Sequence, residues 1–166
     1  TVRAHFGGLD QLKYAWVGDG NNMAYSWIEA AGLLGLDLVL ACPAGYQPNP
    51  VDVERARARG GKVQVVSDPR QAVSGAHVVS TDVFTSMGQE AEQAQRLAAF
   101  RGFTLDEELL RAADSGHVVL HCLPAHRGEE IEASVLEGPH SVVWDQAEAR
   151  LHTSKAAIVW AMGGDV

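Results

Sequence analysis

The sequence predicts an α/β domain built on a doubly wound, mainly parallel sheet of about five to six strands, with helices on both faces. Three observations predict it. Short apolar runs recur along the chain and are nearly continuous rather than alternating, as strands buried on both faces of a parallel sheet require. Segments with helical spacing lie between these runs, so strand and helix alternate. The 166 residues suffice for one domain with a substantial core and are too few for two ordinary ones.

Each element can be placed in order. The first strand, "YAWVG" (14–18), is followed by the helical segment "NNMAYSWIEAAGLLG". The second, "LDLVLAC" (36–42), runs into "PAGYQPNP", whose three prolines forbid regular structure, and then into the helix "VDVERARARGG". "KVQVV" (62–66) and the helix "DPRQAVSGA" form the third unit. The fourth strand, "HVVST" (77–81), precedes two helical segments, "EAEQAQRLAAF" and "TLDEELLRAADSG". Thr104 with Glu107 three residues on reads as a capping box for the second of these, and Gly116 follows its end. "HVVLHCL" (117–123) leads to "GEEIEASVLEG", and the last run, "SVVWD" (141–145), reads as a sixth strand before the helix "AEARLHTSKAAIVWAM".

Composition narrows the function classes. Hydrophobic residues make up 46 % and charged residues 20 %, the proportions of a globular protein, and no apolar run reaches the ~20 residues that span a bilayer. No membrane role is expected. Thirteen Lys and Arg against 21 Asp and Glu leave a net charge of −8, which a phosphate backbone repels, so a nucleic-acid partner is not expected. The two cysteines, Cys42 and Cys122, fit neither a disulfide framework nor a four-ligand zinc site, and suit a reducing compartment. The opening "TVRAHFGG" has no initiator Met and no leader signature, so it is expected to be a piece of a longer protein rather than a secretory precursor.

In open α/β sheets ligands sit outside the carboxyl ends of the strands, so the loops after residues 18, 42, 66, 81, 123 and 145 are the places to search. The first is Gly18-Asp19-Gly20-Asn21-Asn22, a tight turn opening a helix. It lacks the third glycine of a dinucleotide fingerprint, since Met23 stands there, and Asp37 matches the expected acidic residue weakly. One asparagine suffices to cap the helix, which leaves the second amide open to hold a carboxylate. The fourth loop, "STDVFTSMGQE", offers Asp82 and Ser86 either as helix caps or as one binding group for an ammonium, with the Met87 amide beside them. In the fifth, "HVVLHCLPAHRGEE", Cys122 admits three readings: a metal ligand with His121 and His126, a covalent nucleophile, or a buried structural thiol. Pro124 turns the chain and leaves Cys122 and the Leu123 carbonyl near the ligand edge. Arg150, in "WDQAEAR", is either solvated or reaches inward to a carbonyl or phosphate oxygen.

Taken together, "WVGDGNN", Asp82 to Gly88 as D-x-x-x-S-M-G, "HCLPAHRGEE" and "DQAEARLHT" resemble, in order and spacing, the second, ornithine-binding domain of the ornithine carbamoyltransferases. The likeness covers essentially the whole chain. The resemblance implies a Rossmann-like fold, a remnant of the interdomain helix or linker at 1–12, and an L-ornithine-binding domain at 13–166. It implies transfer of a carbamoyl group from carbamoyl phosphate to the δ-amino group of L-ornithine, giving citrulline and phosphate in arginine biosynthesis. By the same resemblance Asn22 and the Met87 amide hold the ornithine α-carboxylate, and Asp82 with the Ser86 hydroxyl holds its α-amino group. Cys122, as a thiolate-forming thiol beside Asp82, takes or steers the proton of the δ-nitrogen. The Leu123 carbonyl binds the carbamoyl NH2, and Arg150 polarises the carbonyl oxygen. Catalysis would thus rest on Cys122, Asp82 and Arg150, with no metal and no cofactor.

Two departures accompany the likeness. Ala149 stands where the family usually has Asn, and nothing resembles the family's S-T-R-T-R phosphate loop or its H-P-x-Q segment, which belong to the first domain. The isolated chain is therefore expected to lack transferase activity, and its partner is that first, carbamoyl-phosphate domain in a cytoplasmic homotrimer. Two other classes compete. A stand-alone amino-acid-binding module would use Asn22, Asp82 and Met87 without chemistry, and a dehydrogenase half would bind a nucleotide at Gly18 to Asn22.

Overall fold

A computed structural model describes residues 1–85 and 90–165. Five strands, β1 (Lys13–Val17), β2 (Asp37–Ala41), β3 (Lys62–Val66), β4 (Val78–Thr81) and β5 (Val118–His121), form one all-parallel sheet in the order β3-β2-β1-β4-β5. Among the described residues eight α-helices accompany it: α1 (Val2–Phe6), α2 (Asn22–Leu34), α3 (Pro50–Ala58), α4 (Pro69–Val73), α5 (Gln93–Ala99), α6 (Glu107–Leu110), α7 (Ala133–Leu136) and α8 (Val143–Ala161). Among the described residues no helix is long and apolar enough to cross a membrane.

The strand residues divide between two cores, as the period-two geometry of a strand dictates. Tyr14, Trp16, Leu38, Leu40, Val63, Val78, Val118 and Leu120 face one side, where Ala24, Ile28 and Ala31 of α2 and Val53 and Ala56 of α3 cover them. Ala15, Val17, Val39, Ala41, Val79 and Val119 face the other, against Ala72 and Val73 of α4, Leu109 and Leu110 of α6, and Val135 and Leu136 of α7. Local chemistry sets the helix ends. Asn21 caps α2, Asn49 caps α3 with Pro50 next to it, and Asp68 caps α4 ahead of Pro69.

Two sequence expectations are corrected. The run 141–145 is not a sixth strand: Ser141 makes a single isolated bridge to Val119, and α8 begins at Val143, which is fully buried at the helix start. An apolar run this short carries no periodicity that separates a strand from a buried first helical turn. Thr104 does not cap a helix either. Its hydroxyl donates to the Glu129 carbonyl at 2.6 Å, while the Asp106 carboxylate accepts the Leu109 N–H at 2.7 Å and caps α6.

The strand order reverses between β1 and β4. Successive connections leave the sheet in opposite directions there, so the loops after these two strands splay apart and open a crevice at their carboxyl ends. A cluster of hydrogen-bonded polar side chains lies along this edge.

Candidate active site

The loop after β1 is shaped by close packing. At Gly20 an added Cβ would lie 2.5 Å from the Pro48 nitrogen and 2.7 Å from the Gln47 carbonyl carbon, so a side chain cannot be accommodated. The turn therefore lies flat on the proline-rich loop and delivers Asn21 to the start of α2. The Asn21 Oδ1 accepts the Met23 and Ala24 N–H groups at 2.9 and 3.2 Å. With the oxygen occupied by the helix, the amide nitrogen points away from it and donates to Asp82 Oδ2 at 2.9 Å. One asparagine thus performs both tasks, cap and carboxylate holder. Asn22 is exposed at the first position of α2 and lines an open depression of about 540 Å³ with Asp19, Tyr46 and Arg96.

Asp82 follows the last residue of β4 and is 8 % exposed. Thr81 pins that strand end by donating to the Val17 carbonyl at 2.6 Å. The Asp82 carboxylate accepts three hydrogen bonds, from Asn21, from the Val83 N–H at 2.8 Å, and from the Cys122 thiol at 3.0 Å. Three loops, after β1, β4 and β5, therefore meet on one carboxylate. In this arrangement the sulfur is a hydrogen-bond donor to the carboxylate. Burial first, then the hydrogen bond and charge of Asp82, push the Cys122 thiol up to about 12, so at neutral pH it is a donor. Cys42, buried in the core behind, is likewise pushed up to about 12 by burial.

The loop after β5 is held by a second buried network that the sequence does not announce. The His121 Nδ1 lies 2.9 Å from the Leu123 N–H and accepts from it, which places the ring proton on Nε2. That nitrogen donates to Glu130 Oε1 at 3.1 Å, and the same oxygen accepts the His126 N–H at 2.6 Å. His121 and Glu130 are 1 % and 0 % exposed. This network fixes Leu123, which has a φ of 59° and precedes Pro124 through a cis peptide bond. The His121 N–H in turn donates to Gln146 Oε1 at 2.9 Å, tying the strand end to the first turns of α8. Arg150 lies one helical turn beyond Gln146 and so on the same side of α8. Cys122, Leu123 and Arg150 line one open depression of about 730 Å³, together with Pro124, Arg127 and Leu151.

Arg96 is a further residue that sequence reasoning missed. It is the buried residue of α5, 4 % exposed, and bonds the Phe84 carbonyl through Nε at 2.6 Å. Its guanidinium also pairs with Asp19 and stacks 4.8 Å over the Tyr46 ring. Burial raises the Asp19 pKa more than the Arg96 charge lowers it. The pair joins the loop after β1 to the segment beyond β4 across 77 positions, a separation no local motif reveals.

Of the residues singled out from sequence, the structure thus brings Asp82 and Cys122 into contact and gathers Cys122, Leu123 and Arg150 around one depression. Asn22 lines the neighbouring depression, while its neighbour Asn21 is the amide that touches Asp82. Ser86 and Met87 lie outside the described residues. Ala149 is half-buried beside Arg150 on α8.

An open parallel sheet with a carboxylate, an amide and a thiol gathered at its topological switch point defines the chain as a small-molecule-binding α/β domain. Residues 10–161 match the family model described as aspartate/ornithine carbamoyltransferase, Asp/Orn binding domain, and the chain belongs to that family. It is 58 % identical over 166 residues to an ornithine carbamoyltransferase of Pelobacter propionicus, covering 99 % of this chain and 54 % of that protein. Against the ornithine carbamoyltransferase of Geobacter sulfurreducens it is 55 % identical over 163 residues, covering 98 % and 54 %. The solved ornithine carbamoyltransferase of Pyrococcus furiosus superposes with a TM-score of 0.91 at 43 % identity, over 99 % of this chain and 54 % of that one. That of Thermus thermophilus gives 0.85 at 44 % identity, over 95 % and 50 %. The chain spans about half the length of the curated relatives it matches.

Proposed function

We propose that this chain supplies the ornithine half of an ornithine carbamoyltransferase site, completed by a carbamoyl-phosphate domain outside these 166 residues. The observation that carries the reading is the Asp82 carboxylate, buried at the switch point and oriented by donors from three loops. A carboxylate so held favours an ammonium partner, and Asn22 on the adjacent rim suits the α-carboxylate of the same amino acid. By the motif resemblance, Ser86 and the Met87 amide complete the grip on the amino-acid end.

The chemistry assigned to these groups follows from what each can do. The neutral δ-nitrogen of ornithine attacks the carbonyl carbon of carbamoyl phosphate, forming a C–N bond, and the C–O bond to phosphate breaks. Arg150 stabilises the negative charge that gathers on the carbonyl oxygen, and the Leu123 carbonyl accepts from the carbamoyl NH2. A thiol with its pKa pushed up to about 12 is not a base at neutral pH, so Cys122 acts as a positioned group and the departing phosphate takes the nitrogen's proton.

The exposed apolar side chains of α8, among them Trp144, Leu151, Ile158 and Trp160, support docking of this helix on the missing domain. A cytoplasmic homotrimer in arginine biosynthesis is the assembly and setting this reading carries. The test is substrate choice by the full-length protein given carbamoyl phosphate with ornithine, putrescine, acetylornithine or aspartate. Citrulline from ornithine, with the other three left unreacted, is expected. Carbamoylation of aspartate or putrescine in preference to ornithine would overturn the assignment.

A further inference from the structure

Beyond the HCLP segment the chain turns back on itself. His126, Arg127, Gly128 and Glu129 form a tight turn closed by the Glu129 N–H donating to the His126 carbonyl at 3.0 Å. Gly128 takes a φ of 84° at the third position, a conformation that favours glycine. The Gly128 N–H then donates to the Ile131 carbonyl at 2.9 Å, and the Thr104 hydroxyl donates to the Glu129 carbonyl at 2.6 Å, so the turn is fixed from both sides. The result is that the side chains of His126, Glu129 and Glu130 converge. His126 Nδ1 lies 3.8 Å from Glu129 Oε2 and 4.0 Å from Glu130 Oε2, and one ligand atom from each of the three residues falls within 4.8 Å of the others.

These distances are too long for hydrogen bonds, and the two carboxylate oxygens are buried. Glu129 Oε2 and Glu130 Oε2 have no hydrogen-bond partner among the described residues. Glu130 is 0 % exposed, so its free oxygen has no access to bulk water. Its other oxygen is already occupied by His121 and the His126 N–H, which prevents the carboxylate from rotating to hide the orphan. Two buried carboxylate oxygens without hydrogen-bond partners in one cluster are costly unless a cation compensates them. His126 is half exposed, which leaves a path for an ion to enter.

We infer that His126, Glu129 and Glu130 form a binding site for a divalent transition-metal ion of the zinc class. The donor set is one imidazole nitrogen and two carboxylate oxygens with a side open to solvent, the composition of a three-ligand zinc site with a free position. Zinc bonds of about 2.0–2.1 Å place tetrahedral ligand atoms roughly 3.3 Å apart. The separations of 3.8 and 4.0 Å from His126 Nδ1, and of at most 4.8 Å within the set, therefore contract by about 0.5 to about 1.5 Å on binding. The site is distinct from the Asp82, His121 and Cys122 cluster, whose thiol is already committed to Asp82. Glu130 belongs to the network that orients Leu123, so a bound ion would stiffen the same loop. The inference rests on the turn alone and not on the transferase reading.

The experiment is a titration of the metal-free chain with Zn2+ by calorimetry, repeated with Co2+ by visible absorption, in a Cys122→Ala background that removes the thiol. Saturable one-to-one binding is expected, with a Co2+ spectrum lacking thiolate charge-transfer bands. His126→Ala, at a half-exposed position, and Glu129→Gln should each weaken it at least tenfold with the fold intact by circular dichroism. Glu130→Gln is omitted as a primary test because it also removes the His121 partner. Binding that survives His126→Ala and Glu129→Gln unchanged, or no saturable binding to the Cys122→Ala chain, overturns the inference.

Discussion

The carboxyl edge of the sheet and the C-terminal helix α8 are built in opposite ways. At the edge, Asp82, Thr81, His121 and Arg96 are buried polar groups whose partners all come from within the chain. Along α8, which runs for 19 residues, only Val143 is buried, and Trp144, Leu151, Ile158 and Trp160 face solvent. Helix α2 makes the contrast sharper, since Ala24, Ile28, Ala31 and Gly32 of that 13-residue helix are buried. Among the described residues, the polar groups of one region find partners within the chain, and the other presents exposed apolar surface. The difference teaches that buried polar groups at the sheet edge are organised by contacts within this chain, whereas α8 leaves its apolar side chains exposed.

The strongest way to break the comparison is to unmake the finished region. In the full-length protein Asp82→Asn keeps the shape but removes the charge on which Asn21, Val83 and Cys122 converge. It is expected to lower kcat/KM for ornithine about a thousandfold, which corresponds to about 4 kcal/mol. Steady-state citrulline assays check it, and a loss under tenfold would remove Asp82 from the centre of the site. Arg96→Met comes next. It leaves Asp19 as an unpaired, partly buried carboxylate and frees the Phe84 carbonyl, at an expected cost of about 2 kcal/mol in urea unfolding.

Thiol chemistry probes the same region with smaller perturbation. Burial and Asp82 raise the Cys122 pKa, so the thiolate becomes populated only as pH climbs towards 12. Iodoacetamide should modify Cys122 at pH 8 about a hundredfold more slowly than a free cysteine, with the rate still rising above pH 10. A rate that levels off near pH 8.5 would mean an unperturbed thiol. The smallest effect is expected in the other region. Trp160→Ser, at a position 72 % exposed, should change the stability of this chain by less than about 0.5 kcal/mol while weakening assembly in the full-length protein.

Much of the architecture is legible because it follows from one strong signal. Nearly continuous apolar runs separated by helical segments identify β1 to β5, and the loops after them follow from topology. The run "SVVWD" fails because Val143 is buried at a helix start and a five-residue apolar stretch looks the same in either state. Within the site, Asp82 and Cys122 stand out since each directly follows a strand. Asn21 and Asn22 are adjacent amides, and only the structure shows that the cap geometry aims Asn21 rather than Asn22 at Asp82. Arg96 and Glu130 are invisible to local reading. An arginine in a polar helix and a glutamate in "GEE" look solvated until partners 77 and 9 positions away bury them.

The most direct test of a finished edge beside an unfinished helix is citrulline formation by the 166-residue chain, compared with the full-length protein at equal concentration. The account predicts turnover by the full-length protein and none above background by the chain, because the chain holds one half of the site. Sustained citrulline production by the purified chain alone would contradict it.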